Sequence, residues 1–198
     1  MIGIATKKPH PLLAGRPIAP SAPKNARPLI LTARFLLGWD LESKIISWRS
    51  GGLSHVDFLA ADGSGYWSAF SVPVPGFTPG SIVPAGCNLR PLNYYGTPKL
   101  VKYVQIELDQ EQWDAFWKLV KSTEGCPYDK TGLIDTFVLM RQIRPPRKWR
   151  DTDSFWCSEW WTWLLEGCGR IHPLHGFITH VDPGMALGIT SSHAIERK

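Results

Sequence analysis

This sequence of 198 residues lacks the long apolar stretch that a membrane-spanning helix needs. No run reaches about 18 apolar residues, and the longest early one, residues 28–39, is interrupted by Thr32 and Arg34. The first 28 residues also lack the continuous apolar segment of a secretory signal peptide, because prolines recur along them. We therefore expect no membrane span and no signal-directed export, and we predict a cytoplasmic location.

Acidic residues are missing from the first 34 positions, which hold six basic ones. The rest of the chain has 16 basic and 17 acidic side chains, so the net charge of +5 comes from this arm. A basic, proline-rich arm is more typical of a solvated tail than of a binding element, so we expect no nucleic-acid partner. The alternative, nucleic-acid binding through residues 1–34, predicts an affinity that falls steeply with salt.

Cysteine is scarce, and its four positions are Cys87, Cys126, Cys157 and Cys168. No two of them form the Cys-x-x-Cys pair that is typical of a structural zinc site. Four cysteines without an export signal are weak grounds for disulfides, so we expect reduced thiols. The sequence indicates neither a metal nor another cofactor.

Tryptophan is abundant along the whole chain, and proline is abundant in its first part. Ten tryptophans indicate large buried aromatic faces, while 43% hydrophobic and 20% charged residues are ordinary for a globular protein. Six of the seventeen prolines lie within residues 1–28, which predicts an extended leader. We predict a single folded domain over residues 29–198.

Runs of apolar residues predict four strands, over residues 29–37, 55–61, 65–72 and 100–108. The two middle runs flank the sequence Ala-Asp-Gly-Ser at positions 61–64, which predicts a β-hairpin. Residues 73–98 are rich in proline and glycine, and this composition predicts a long ordered loop with one short strand at residues 81–83.

Helical periodicity is clearest after Asp109. Asp109 and Gln112 have the spacing of a capping box, and apolar residues follow at helical intervals until Gly125 ends the pattern. A more apolar helix is predicted next, over residues 131–141, and two prolines close it.

Two other helices are predicted on either side of this central pair. The earlier one covers residues 42–49, and its inward-facing side chains are predicted to be Ile45, Ile46 and Trp48. The later one covers residues 151–167, with its cap among residues 151–154, and this places Cys157 in the first turn. The tail from His172 onward has little periodicity and is predicted to be loop-rich.

Cys157 and His55 are the residues best suited to carry chemistry. The first turn of a helix offers unpaired N–H groups and a partial positive charge, both of which favour a thiolate. His55 begins a predicted strand, from which an imidazole can reach a helix terminus and act as a general base. Taken singly, Cys157 is better explained as a buried apolar residue and His55 as a structural or surface histidine, so the two residues point to chemistry only together.

Three short motifs occur in an order that is known from one family. Ser54-His55-Val56 comes first, Gly125-Cys126-Pro127-Tyr128-Asp129 follows, and Cys157-Ser158-Glu159 comes last. This order resembles bacterial and phage permuted papain-like hydrolases of the NlpC type. In that family the strand motif carries the catalytic histidine and the helix start carries the nucleophile, and the circular permutation places histidine before cysteine. The resemblance covers roughly residues 29–169.

The resemblance implies a fold, a reaction and a range of substrates. The fold would be α+β and papain-like, with an antiparallel sheet packed against helices and the cysteine helix facing the histidine strand. The reaction would be the cleavage or transfer of an amide or ester bond through a thioacyl intermediate. Cell-wall peptides, other amides and lipid esters are the expected substrates, and a phage-associated location joins the cytoplasmic one as an alternative.

The family has a third residue, usually His, Asn, Gln or Glu, that orients the imidazole from the next strand. The matching position here is Ser68, whose hydroxyl can accept a hydrogen bond but offers no charge to stabilise an imidazolium. Asp57 is the substitute candidate, because strand alternation puts it on the same face as His55. A further alternative is a histidine from the C-terminal region, namely His172, His175 or His180.

Two aromatic residues complete the predicted site. Tyr128 lies in the turn motif of the family, and Trp156 directly precedes the nucleophile within a tryptophan-rich segment. Both are predicted to contact substrate, with turn structure and core packing as the alternatives. The sequence thus predicts a cysteine hydrolase or acyltransferase; the alternative is a non-catalytic binding or structural protein, which the serine at the third position favours.

Overall fold

The computed structural model describes residues 29–38, 40–130, 154–172 and 181–195. The predicted leader and the predicted helix over residues 131–141 lie outside the described residues. Within them the protein is α+β, with a five-stranded antiparallel sheet and four helices, as the coarse fold class predicts. No helix in these described ranges is both long enough and apolar enough to cross a membrane.

The main sheet has the strand order β6-β3-β2-β1-β7. Its strands in chain order are β1 (Leu29–Leu37), β2 (His55–Leu59), β3 (Gly65–Phe70), β6 (Gly86–Pro91) and β7 (Leu100–Leu108). The predicted hairpin is confirmed as the β2–β3 pair, with both strands two residues shorter than expected. The first and last predicted strands are confirmed with the same bounds.

The segment predicted as a long loop contains more strand than expected. It does hold a short hairpin of two-residue strands, β4 (Val74–Pro75) and β5 (Ile82–Val83), close to the predicted strand. However, β6 is a six-residue edge strand paired along its length with β3, and the loop prediction is wrong there. The sequence analysis missed this strand because prolines flank it: Pro84 lies two residues before the strand, and Pro91 is its last residue. An edge strand tolerates the missing N–H of a proline at such positions.

The described helices are α1 (Leu41–Arg49), α2 (Gln110–Ser122), α3 (Cys157–Gly167) and α4 (Pro183–Ser191). The capping box of α2 is confirmed, with Asp109 and Gln112 bonding reciprocally. The loop prediction for the tail is wrong over α4, which Asp182 caps and Pro183 begins. Met185, Leu187 and Ile189 recur at every second residue of this short helix, so the sequence had no helical periodicity to detect.

The predicted cap of α3 is wrong, since the N-cap is Trp156 and no side chain caps the helix. Phe155 explains the late start: its N–H bonds the carbonyl of Pro127, and its carbonyl accepts from the N–H of Asp129. This bridge holds the backbone extended up to residue 156. Helical geometry begins only at Cys157, which is therefore the first helical residue.

The inward side chains predicted for α1 are correct only for Ile46. Ile45 is 46% exposed and Trp48 is 79% exposed, whereas Ser43, Ile46 and Ser50 are buried. Positions 43, 46 and 50 share one face of a helix, so the short helix packs by this narrow stripe rather than by its largest residues.

Strand alternation gives the sheet two unlike faces. The apolar face, formed by residues such as Val56, Phe58 and Trp67, packs against α2 and α3 in the core. The opposite face carries five buried polar side chains, which we call the polar face: Arg34, His55, Asp57, Ser68 and Arg90. Buried polar groups are uncommon and need partners, so this face is the part of the fold to search for a functional site.

Candidate active site

The position of Cys157 follows from how α3 packs. The rings of Trp160 and Trp161 lie 5.3 and 5.5 Å from that of Phe58 on β2, and these tilted contacts anchor the helix on the apolar face. This packing directs the first residue of α3 to the start of β2. There the Val56 backbone, next to His55, is close enough to the Cys157 sulfur to lower the pKa of the thiol against the effect of burial.

The helix start offers donors as well as the thiol. The N–H groups of the first helical residues have no acceptor inside the helix, and no side chain caps them here. These groups and the helix dipole favour a negative charge at this end. A carbonyl oxygen that gains charge beside the sulfur would therefore find backbone donors close by.

His55 is held from the polar face. Its ring is 3% exposed, and its Nε2 lies 2.9 Å from the Ser68 hydroxyl and 2.9 Å from the Tyr94 hydroxyl. Burial lowers the pKa of His55 well below its usual value, and the positive charges of Arg34 and Arg90 lower it further. The imidazole is therefore neutral at physiological pH.

The hydrogen-bond chain around Tyr94 determines which ring nitrogen carries the proton. The Tyr94 hydroxyl donates to Asp57 Oδ2 over 2.7 Å, since a carboxylate can only accept. Having used its proton, the Tyr94 oxygen accepts from His55 Nε2. The proton thus lies on Nε2, and the lone pair of Nδ1 remains as the basic site of the ring.

Asp57 acts at a distance from the imidazole. Its carboxylate lies 4.0 Å from Nε2, beyond a direct hydrogen bond, and it pairs with Arg34 on the facing strand. Arg34 donates from Nε over 3.0 Å and from Nη2 over 2.7 Å, and stacks 3.6 Å above the Tyr66 ring. Ser68 thus contacts the ring directly, while Asp57 reaches it through Tyr94, a residue that the sequence did not point to.

Aromatic rings enclose the imidazole. Tyr95 stacks on His55 with centroids 5.3 Å apart, and Phe70 meets it edge-on at 5.3 Å. A cavity of about 350 Å³ lies against these rings, and its lining residues are Gly38, Asp40, Phe70, Tyr94, Tyr95 and Thr97. Two adjacent tyrosines inside a segment of proline and glycine were the available sequence signal, because such a loop needs no large aromatic residues for packing.

The thiol is closed off in this structure. Cys157 is 2% exposed, and burial raises the pKa of its thiol to about 12 despite the opposing backbone hydrogen bonds. Within the described ranges no hydrogen bond joins its sulfur to His55. Thiol and imidazole are therefore both neutral in this structure, and catalytic hydrogen bonds of unliganded sites are often long and tighten only in the complex.

The remaining predicted residues lie around this centre. Tyr128 is half-buried beside Trp156, and Trp156 itself is fully buried against Ile46. His172 is exposed, and it follows the C-terminal end of α3, whereas Cys157 begins that helix. His175 and His180 lie outside the described residues. In the part of the chain that the structure describes, no cluster of three or more His, Cys, Asp or Glu side chains could hold a metal ion.

No model of a known protein family matches the chain, and no curated protein matches it either.

Proposed function

We propose that this protein is a cysteine hydrolase or acyltransferase with a permuted papain-like fold of the NlpC type. The observation that carries the proposal is the packing of α3 on β2, which brings Cys157, the first residue of the helix, to the Val56 backbone beside His55. Two further features support it: the fixed Nε2 proton of His55 and the uncapped N–H groups of α3. The three sequence motifs are the basis for the family assignment.

The reaction follows from these roles. His55 Nδ1 takes the Sγ proton of Cys157, and the sulfur forms a bond to the carbonyl carbon of the substrate. The carbon–nitrogen or carbon–oxygen bond then breaks, and the leaving amine or alcohol takes the proton from the imidazolium. Water or another amine attacks the thioester and releases the thiol. Backbone N–H groups at the start of α3 stabilise the charged oxygen in both steps.

Tyr94, Asp57 and Arg34 support the base in this mechanism. When His55 gains a proton, the imidazolium donates from Nε2 towards a hydroxyl that is itself bonded to a carboxylate. Ser68 lacks the charge that the family usually places at the third position, and Asp57 supplies that charge one hydrogen bond further away. Asp57 and Tyr94 are thus positioning residues in this proposal. Its substrates are peptide amides, cell-wall peptides among them, or lipid esters.

The test is covalent labelling of the full chain by an acylating thiol probe. Cys126 is the half-exposed thiol, so it is replaced by serine in every protein compared. We expect Cys157→Ala to abolish labelling, and His55→Ala to slow it by about a hundredfold or more, as removal of a general base does. Cys168→Ala is the matched control, since this buried cysteine is the C-cap of the same helix, and it should label normally.

The second candidate function is a non-catalytic binding protein on the same scaffold, which the closed thiol favours. It predicts that no cysteine is labelled in the folded protein and that Cys157 reacts only after unfolding. Labelling that persists in Cys157→Ala would reject the enzyme proposal. Labelling that needs Cys157 but not His55 would reject the assignment of the base.

A further inference from the structure

Two arginines of the polar face have very different surroundings. Arg34 is paired with a carboxylate through two hydrogen bonds. Arg90 is completely buried, yet the ion pairs among the described residues do not include it. A buried cation without a counter-ion is costly, and proteins normally avoid it unless a ligand supplies the opposite charge.

The donors of Arg90 are only partly used. Nη2 donates to the backbone carbonyls of Pro84 and Gly86 over 3.1 and 2.8 Å. Nε and Nη1 are buried and have no hydrogen-bond partner in the part of the chain that the structure describes. A planar guanidinium with two adjacent free donors fits a carboxylate, which accepts two parallel hydrogen bonds.

Arg90 and the candidate base share the same aromatic walls. The guanidinium carbon lies 5.5 Å from the centroid of the Phe70 ring and 5.8 Å from that of Tyr94. Both rings also contact His55 and line the 350 Å³ cavity. Phe70 makes no hydrogen bond through its ring, so a shift of this ring alone would open the cavity towards Arg90 and His55 while Tyr94 stays bonded to Asp57.

We propose that Arg90 is the binding residue for a carboxylate on the ligand of this site. The inference rests on the proposed function for the acyl chemistry, but the binding itself does not require a reaction. The ligand is then an acyl compound with a free carboxylate, bound in the cavity after Phe70 shifts. Asp40 also lines the cavity, where its carboxylate accepts two hydrogen bonds from Ser43, and the ion pairs among the described residues do not join it to Arg90.

Binding at Arg90 would also act on the base. The charge of Arg90 is one of the causes that lower the pKa of His55, after burial and Arg34. A bound carboxylate offsets that charge, so the imidazole becomes more basic when the ligand is present. The site would thus couple recognition of the carboxylate to removal of the thiol proton.

The test uses full-length Cys157→Ala protein, so that binding is measured without chemistry. N-acetylglycine is the probe, and the uncharged N-acetylglycinamide is its control, at constant ionic strength. We expect the carboxylate alone to bind in calorimetry and to raise the unfolding temperature. Adding Arg90→Met should weaken this binding by about tenfold or more, because the two charged hydrogen bonds are lost.

Two further variants keep the test decisive. Arg170→Met is the matched control: Arg170 also has a buried Nε without a partner, but it bonds the carbonyl of His193, away from the polar face. It should leave binding unchanged. If Arg90→Met does not fold, Arg90→Lys keeps the charge and loses the forked donors, and its affinity should also fall.

Several results would overturn the carboxylate site. They are equal binding of the acid and the amide, absence of binding by the Cys157→Ala protein, and unchanged affinity in the folded Arg90 variant. Tight binding of inorganic phosphate without binding of N-acetylglycine would show that the site recognises phosphate and not a carboxylate. If the thiol probe does not label Cys157 but N-acetylglycine still binds, only the acyl chemistry is rejected. The two proposals can therefore fail separately.

Discussion

Both faces of the sheet bury side chains, but these side chains differ in polarity and in their effect on the stability of the fold. The apolar face packs Phe58 against four aromatic rings of α2 and α3, and the burial of these rings stabilises the fold. The polar face buries two arginines, a histidine and an aspartate, each of which loses hydration. The apolar face therefore stabilises the fold. The polar face lowers the stability, but it holds charged and polar side chains in fixed positions.

The largest effect should come from the apolar face. Trp160→Ala removes a fully buried ring that packs on Phe58 and bonds the Thr123 hydroxyl, and it should lower the free energy of unfolding by about 4 kcal/mol. Trp48→Ala, at a site 79% exposed, is the control and should change it by less than about 0.5 kcal/mol. Denaturant unfolding measures both. Equal effects would mean that this face is not the main source of stability.

A smaller effect is expected from the ion pair of the polar face. Arg34→Met leaves the buried Asp57 carboxylate without its cation and should cost about 3 kcal/mol. Replacing both partners, as Arg34→Met with Asp57→Leu, should restore most of that stability, because no buried charge is left unpaired. The same denaturant experiment applies. A double variant as unstable as the single one would show that the pair itself stabilises the fold.

The smallest effect is a pH dependence from His55. Burial, together with Arg34 and Arg90, holds the pKa of His55 well below about 6.5, so below that pH the unfolded chain binds a proton that the folded protein does not. Stability should fall as pH decreases through about 6.5, by at most about 1.4 kcal/mol per pH unit from this group. His55→Gln should flatten the change between pH 7 and pH 5.5. An unchanged slope would mean that His55 is protonated in the folded protein.

Local sequence signals determined most of the elements around the site. Apolar runs and alternation identified β1, β2, β3 and β7, and the Asp109–Gln112 pair identified the start of α2, because these signals depend only on neighbours along the chain. The same signals failed for β6 and α4. An edge strand between prolines and a short helix without an amphipathic pattern are stabilised by what they pack against, and propensity does not record that.

For the candidate site, the sequence by itself put Cys157 in the first turn of a helix and His55 at the start of a strand. Only the tertiary structure brought Tyr94 from a loop onto His55, paired Asp57 with Arg34, and left Arg90 buried without a counter-ion among the described residues. The physical reason is that helix turns and strand faces are periodic in the chain. A hydrogen-bond network on a sheet face instead joins residues from several strands and a loop, and its partners are fixed by distance in space.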